Sequence, residues 1–345
     1  MQIRTDLAIE AREQYLQERR SSSTSERMDA AAAANTKAAA RSEDEIEGVN
    51  VSERTDGQAK VTSVEITTQQ AADTLGQKQG TYITIEIPNI NYEDSQTCDH
   101  ISDIIRQELT GILGDIDNRT FLVVGLGNRN ITADALGPKV VEKLLITRHL
   151  LSYMPEMMDG KATPVCAVSP GVLGITGIET GEIVCGVADR VKPDVIIAID
   201  ALAARRIDRV NTTVQITNTG ISPGSGVGNH RKALDEQSLG VPVIAIGVPT
   251  VVDAVTMAND AIFMAIDALE KEAKADTALK LFDDFGRQNC RELILEVMSP
   301  AVKEMTVTPK EVDAIMEKMA KLLARGMNLA LQKELKPDDI DSYMV

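Results

Sequence analysis

The sequence predicts an α/β protein built on a doubly wound parallel or mixed sheet. Between about residues 121 and 270, short β-branched runs alternate with helical patterns and end at glycine-rich turns, which is typical of βαβ units. Two runs, Phe121–Val124 and Val195–Ile199, are apolar throughout, as strands buried on both faces of a sheet are. Aromatic residues make up only 3% of the chain and Trp is absent, so aliphatic side chains and Met must fill the interior.

The N-terminal third is predicted to contain a helix, a low-complexity tract and a small antiparallel sheet. Residues 1–20 are charged and favour a helix. Residues 21–47 carry Ser and Ala runs, with too few bulky apolar side chains to fold alone. Alternating patterns between 49 and 90 predict an antiparallel accessory region. An amphipathic helix over 94–116 then leads into the strand at Phe121.

The α/β core and the C-terminal section follow element by element. Strands are expected at 121–124, 163–168, 195–199, 214–217 and 243–246, and helices after Pro138, over 181–190 and from about 254 to 273. The run Thr308-Pro309-Lys310-Glu311 has a cap residue, a first-turn proline and a glutamate three residues after the cap, which predicts a helix start with a capping box. The helix behind it carries an apolar stripe that indicates core or subunit contact: Val312, Ile315, Met316, Met319, Leu322 and Leu323.

Composition excludes several classes of protein. A net charge of -16 argues against non-specific nucleic-acid binding, which needs a basic face, and favours a neutral, basic or peptide-like substrate. The four cysteines show no Cys-x-x-Cys spacing, so neither a disulfide framework nor a zinc site is expected, and a reducing cytoplasm is predicted. No run approaches the roughly 18 apolar residues of a membrane span, so no membrane association is expected.

Glycine-rich motifs give no nucleotide or serine-hydrolase site. Gly125-x-Gly127 follows a strand, but the dinucleotide fingerprint needs a third glycine where Asn130 stands. The glycines of residues 223–229 lack the Gly-Lys-Ser/Thr of a phosphate loop, and Ser225 lacks the nucleophile-elbow pattern. A structural turn is the simpler interpretation of each. The three histidines are isolated in the sequence, so no cofactor and no metal site is predicted.

Two acids carry the strongest chemical signal. Asp134 and Asp200 each stand just beyond a predicted core strand, at the sheet edge where α/β proteins bind ligands. Two carboxylates within hydrogen-bonding reach cannot both ionise easily, so one holds a proton while the other activates water. This predicts hydrolysis without a nucleophilic side chain. The alternative is that one acid caps a helix or loop and the other binds a backbone amide.

Several strings between about 120 and 260 are specific enough to indicate a family: Gly125-Leu-Gly-Asn-Arg-Asn-Ile-Thr-Ala-Asp134-Ala-Leu-Gly-Pro138, Pro170-Gly-Val-Leu-Gly-Ile-Thr-Gly-Ile-Glu-Thr180, Ile197-Ala-Ile-Asp200-Ala-Leu-Ala-Ala-Arg205, Pro223-Gly-Ser-Gly-Val-Gly-Asn229 and Gly247-Val-Pro-Thr-Val-Val-Asp-Ala254. In these strings the sequence resembles the spore germination endopeptidases of endospore-forming Firmicutes. By motif, the aspartates proposed as catalytic in that family fall on Asp134 and Asp200.

The resemblance implies an endopeptidase that degrades small acid-soluble, DNA-coating spore proteins early in germination. It also implies a zymogen, made as an inactive homotetramer in the forespore and spore core, that removes its own propeptide. The family's cleavage site, where Arg-Thr-Asp precedes Leu-Ala, falls here between Asp6 and Leu7. From the matched motifs, Glu179, Arg205, Ser225 and Asn229 are expected to support the site or bind substrate.

Further alternatives stay open. Asn128 and Asn130 are candidates to hold the oxyanion, and turn stabilisation explains them equally well. The opening motif is also similar to that of hydrogenase maturation endopeptidases, which implies a similar core and a metal-dependent mechanism with the same carboxylates. In that family a histidine completes the metal site, and no histidine here clearly matches it. A non-enzymatic nucleotide- or protein-binding module is the third class.

The expected organisation has four parts. They are a propeptide at 1–6, an N-terminal helix and low-complexity loop at 7–48, an accessory β region at 49–92, and an α/β catalytic core with C-terminal helices at 93–345.

Overall fold

The computed structural model describes residues 5–16, 19, 46–88, 90–154, 156, 162–222, 232–272, 296–299, 302, 305–335, 337 and 339–340. All but the last two residues of the predicted low-complexity tract, 21–47, lie outside the described residues, as do Ser225 and Asn229. No helix in the described part of the chain is both long and apolar enough to cross a membrane.

Nine strands of the described chain form one mixed sheet. They are β1 (Val49–Asp56), β2 (Ala59–Ile66), β3 (Gly80–Glu86), β4 (Phe121–Gly125), β5 (Val165–Val168), β6 (Val195–Ala204), β7 (Thr213–Thr217), β8 (Val243–Asp253) and β9 (Thr306–Val307). Their order is β1-β2-β3-β7-β8-β6-β4-β5, with β9 paired to β8. The strands from β8 to β5 in this order pair in parallel and the other pairs are antiparallel. The predicted α/β class with a mixed sheet is therefore confirmed.

The helices of the described chain include those that the sequence pattern predicts and four short ones that it does not, over residues 69–75, 148–153, 173–176 and 236–239. They are α1 (residues 8–16), α2 (Gln69–Leu75), α3 (Ser95–Leu113), α4 (Leu136–Val141), α5 (Arg148–Tyr153), α6 (Leu173–Thr176), α7 (Thr180–Val191), α8 (Glu236–Leu239), α9 (Ala254–Glu272) and α10 (Val312–Leu331). The predicted capping box at Thr308 is wrong, because α10 begins at Val312 and no side chain caps it. The Thr308 hydroxyl instead donates to the backbone oxygen of Thr250 at 2.8 Å.

Helices pack on both faces of the parallel strands, which makes the sheet doubly wound. On one face α3 and α10 cover β3, β4, β6 and β7, and on the other α7 packs against β4 and β6. Helices α3 and α10 touch closely, since a Cβ at Gly326 would lie 2.8 Å from Ile105 Cγ2. Four residues of the predicted C-terminal stripe are part of the core: Met316, Met319, Leu322 and Leu323.

Strands β6 and β8 run further than their apolar patterns predict. Asp200 is the sixth of the ten residues of β6 rather than the residue beyond its end. The neighbouring β4 ends earlier, at Gly125, which pairs with Ile199. Residues 201–204 extend past that end while still paired with β8. Asp200 thus lies within β6 but at the point where β4 stops, so it still reaches the edge of the parallel sheet.

Candidate active site

A cleft of about 350 Å³ opens where β4 ends and brings together three acids. Asp134 comes from the loop after β4, Asp200 from β6, and Asp6 from the N-terminal segment before α1. The remaining lining residues are Leu126, Gly127, Ile131, Ala133, Gly171, Val172, Thr180, Ala201, Leu202, Ala203, Thr250, Val251 and Thr306. Both sequence-predicted acids and the first residue of the predicted cleavage pair therefore share one cavity.

The glycine turn after β4 positions Asp134. Gly127 has φ 109°, and a Cβ there would lie 2.0 Å from the backbone oxygen of Asp134, so only glycine lets the loop fold back this far. The Asn128 backbone N–H donates to Asp134 Oδ2 at 2.8 Å. A second N–H, that of Asp134 itself, donates to the oxygen of Ile131 at 2.8 Å. The turn thus fixes both the backbone and the carboxylate of this acid.

Threonine hydroxyls tie this turn to the rest of the protein. Thr250 of β8 is 1% exposed and its hydroxyl donates to the oxygen of Ala133 at 2.6 Å. Thr132 donates to Asp313 Oδ1 of α10 at 2.7 Å. Thr250 and Ala133 are 117 positions apart in the sequence, so no local pattern indicates that Thr250 belongs to the site.

Asp200 is 6% exposed and is oriented by its own strand. Its Oδ1 accepts a hydrogen bond from the Ala201 backbone N–H at 2.9 Å. The register of the sheet sets Asp200 opposite Gly247 of β8, and Gly247 opposite Gln215 of β7. Residues directly opposite one another on neighbouring strands have the same side-chain direction. The carboxylate and the Gln215 amide thus lie on one face of the sheet.

The N-terminal segment lies against the extension of β6. The Asp6 backbone N–H donates to the oxygen of Ala203 at 3.2 Å, and the Ala203 N–H donates to Asp6 Oδ2 at 2.9 Å. Leu7 is fully buried in an apolar cluster that includes Leu202 and Val252. The predicted cleavage pair is therefore a docked segment of the folded chain.

Helix α1 anchors this segment through Arg209, which is 4% exposed. Its guanidinium donates to both carboxylate oxygens of Glu13, at 2.6 and 2.8 Å, and to Glu86 Oε1 at 2.9 Å. It also lies 3.4 Å from Glu10 Oε1. Burial alone would lower the pKa of Arg209, but the hydrogen bonds and charges of the glutamates outweigh it and raise that pKa above its ordinary value. Arg209 is therefore a permanent cation.

The two predicted asparagines form part of the turn. Asn130 donates its backbone N–H to Asn128 Oδ1 at 3.0 Å, and neither residue is among those that line the cleft in the described chain. The Asn128 side chain therefore stabilises the turn.

Glu179 and Arg205 lie beside the cleft. Glu179 is the N-cap residue of α7, next to Thr180 in the lining. Arg205 follows β6 and donates its backbone N–H to Glu10 Oε2 at 2.7 Å. Its buried Nε has no hydrogen-bond partner among the described residues. The structure thus gives each a position next to the site and assigns neither a chemical role.

Metal-ligating side chains are not grouped in the described part of the chain, where no three His, Cys, Asp or Glu residues could together hold an ion. His100 instead pairs with Asp56 of β1, with 3.1 Å between Nε2 and Oδ1.

The chain is similar in sequence to one family of proteins along nearly its whole length. A family model described as Germination protease matches residues 25–281 and 264–344. A protein named Germination protease from Clostridium tetani is 48% identical over 345 residues, which is 100% of both chains. Relatives of the same name are 46% identical in Clostridium acetobutylicum, over 99% of both chains, and 41% identical in Bacillus cereus, over 99% of this chain and 96% of theirs.

A solved structure, the [NiFe] hydrogenase maturation protease HycI from Thermococcus kodakarensis, is 16% identical and covers 63% of this chain and 98% of its own. Its TM-score of 0.31 is too low to add to what the sheet itself shows.

Proposed function

The chain belongs to the germination protease family, and from this premise we propose that it is an endopeptidase that begins the degradation of small acid-soluble, DNA-binding spore proteins. We further propose that it is a zymogen that cuts itself between Asp6 and Leu7, with Asp134 and Asp200 as the catalytic pair. The observation that carries this proposal is the single cleft lined by Asp6, Asp134 and Asp200.

The proposed reaction needs only water and two carboxyl groups. One carboxylate takes a proton from water as the water oxygen attacks the carbonyl carbon of Asp6. The other, protonated, stabilises the carbonyl oxygen and then gives its proton to the nitrogen of Leu7 as the C–N bond breaks. The products are a carboxyl group on Asp6 and a free amine on Leu7, and the two acids exchange protons with solvent before the next cycle.

Replacing either acid with Asn tests this mechanism. Asp134→Asn and Asp200→Asn should each slow self-processing and cleavage of a small acid-soluble spore protein by about 10⁴-fold or more, as loss of a catalytic acid does elsewhere. Both variants should keep the melting temperature of the wild type. The matched control is Asp208→Asn, since Asp208 is exposed and pairs with Arg206.

The assay is gel analysis of full-length protein and of protein beginning at Leu7, with the cut mapped by mass spectrometry. Full activity in either acid variant would rule out the aspartate pair. Absence of cleavage by the wild type, in both forms and under all activation conditions, would favour a non-enzymatic binding module. Loss of activity on chelation, restored by adding a divalent metal, would establish the metal-dependent alternative instead.

From the same family membership we propose a homotetramer located in the spore core. Light scattering coupled to size-exclusion chromatography of the full-length Asp134→Asn chain tests the assembly, and a monomer at micromolar concentration would contradict it.

A further inference from the structure

Gln215 contacts the backbone on both sides of the Asp6–Leu7 peptide bond. Its Nε2 donates to the carbonyl oxygen of Asp6 at 3.1 Å. Its Oε1 accepts from the backbone N–H of Ala8 at 2.8 Å. The side chain is buried, at 6% exposure, so water competes little for either bond.

These two bonds fix the peptide as a neighbouring strand would. A glutamine amide offers one donor group and one acceptor, and here each is matched to the backbone on one side of the bond. The oxygen that accepts the hydrogen bond from Nε2 belongs to the Asp6 carbonyl group, whose carbon is attacked in the proposed reaction. The alternative is that Gln215 only fastens the N-terminal segment to β7.

The sheet sets Gln215 on the same face as Asp200. Gly247 stands between them in the register, and two strand spacings put the backbones of Gln215 and Asp200 roughly 10 Å apart. A Cβ at Gly247 would lie 2.3 Å from Leu202 Cδ1. Because glycine has no side chain, the Leu202 side chain can pack directly against the backbone of Gly247. Leu202 in turn lines the cleft and belongs to the apolar cluster that buries Leu7.

We propose that Gln215 positions the scissile peptide and donates to its carbonyl oxygen as that oxygen gains negative charge. This inference rests on the proposed cleavage between Asp6 and Leu7. A donor already directed at the carbonyl oxygen stabilises the tetrahedral intermediate without reorganisation, and loss of one such donor costs about 10²- to 10³-fold in rate.

The first test is the rate of self-processing in Gln215→Ala, which should fall about 10²-fold with the cut still mapped by mass spectrometry. The matched control is Thr213→Val on the same strand. Thr213 is fully buried and its hydroxyl has no hydrogen-bond partner in the described chain, so this variant should process at the wild-type rate.

The second test separates donation from anchoring. In Gln215→Glu the side chain still accepts from Ala8, but an ionised carboxylate has no proton to give to the Asp6 oxygen. Protonation restores that donor. The processing rate of this variant, divided by that of the wild type at the same pH, should therefore rise as pH falls.

The outcomes are distinguishable. If the wild type does not cut between Asp6 and Leu7, the proposed function itself fails. If the wild type cuts there and Gln215→Ala processes within threefold of Thr213→Val, the role of Gln215 is overturned. If Gln215→Ala does not fold, Gln215→Glu decides, because a ratio that stays constant with pH overturns the donor role.

Discussion

Replacing Arg209 with Met should release helix α1, and with it the predicted cleavage site, from the body of the protein. The change leaves the carboxylates of Glu10, Glu13 and Glu86 without their shared cation. Removing one partner of a buried ion pair costs about 3–5 kcal/mol. Glu10 keeps the backbone N–H donors of residues 205 and 206, and the side chains of Glu13 and Glu86 are 36% and 24% exposed. Since these two can rehydrate, we expect about 3 kcal/mol, the lower end of that range.

Hydrogen exchange of the α1 amides, residues 8–16, measures this loss directly. The experiment uses full-length protein in an Asp134→Asn background so that the chain stays intact. A loss of about 3 kcal/mol corresponds to roughly 100-fold faster exchange. Arg209→Lys should give an intermediate value, because an ammonium keeps the charge but lacks the planar fork that engages two carboxylates.

The matched control is Arg206→Met, three positions away. Its ion pair with Asp208 joins side chains that are 50% and 58% exposed, so the change should stay within about 0.5 kcal/mol. Exchange in Arg209→Met no faster than in Arg206→Met would refute the reasoning that this cluster holds α1 in place.

Two further changes test contacts around the Asp134 turn. Thr250→Val removes the hydroxyl that fixes the turn and should lower stability by about 1 kcal/mol in urea unfolding and slow substrate cleavage, whereas unchanged kinetics would show that the turn needs no such support. Hydrogen bonds from Lys139 and Lys143 lower the pKa of Glu317 from 4.5 to about 2. Because the folded chain favours the ionised form of Glu317, this carboxylate stabilises the fold. The stabilisation is fully present above pH 4.5 and is lost as pH falls through about 2. Glu317→Gln should thus cost at most about 1 kcal/mol at pH 7, since the carboxylate is half exposed, and nothing at about pH 1, where the carboxyl group is protonated in the folded chain as well. Glu47→Gln is the exposed control, and equal cost at both pH values would contradict the pKa shift.

Much of the fold followed from local patterns. The apolar runs of β4 and β6 and the helical stripes of α3 and α10 need no information from elsewhere in the chain, because buried strands and amphipathic helices have their own periodicity. The ends of elements were less predictable. Strand β6 continues through Asp200 because β8 pairs with it on one side, and an acid within an alanine-rich run gives no local sign of that pairing.

The predicted start of α10 was wrong for a related reason. The Thr308 hydroxyl has the local pattern of a helix cap, but a backbone oxygen of β8 accepts its hydrogen bond instead. A tertiary contact therefore replaced the local one.

For the site, the sequence by itself predicted the two acids and the glycine turn that presents Asp134, because each stands in a short string of residues just beyond a strand pattern. The cleavage pair at Asp6 and Leu7 was predicted only through the resemblance to a family. Only the tertiary structure decided that Asp6 enters the same cleft as the acids, and that Gln215 holds its carbonyl oxygen across 209 positions of sequence. The physical reason is that hydrogen-bond partners are selected by distance in the folded chain, which sheet register and helix packing set together.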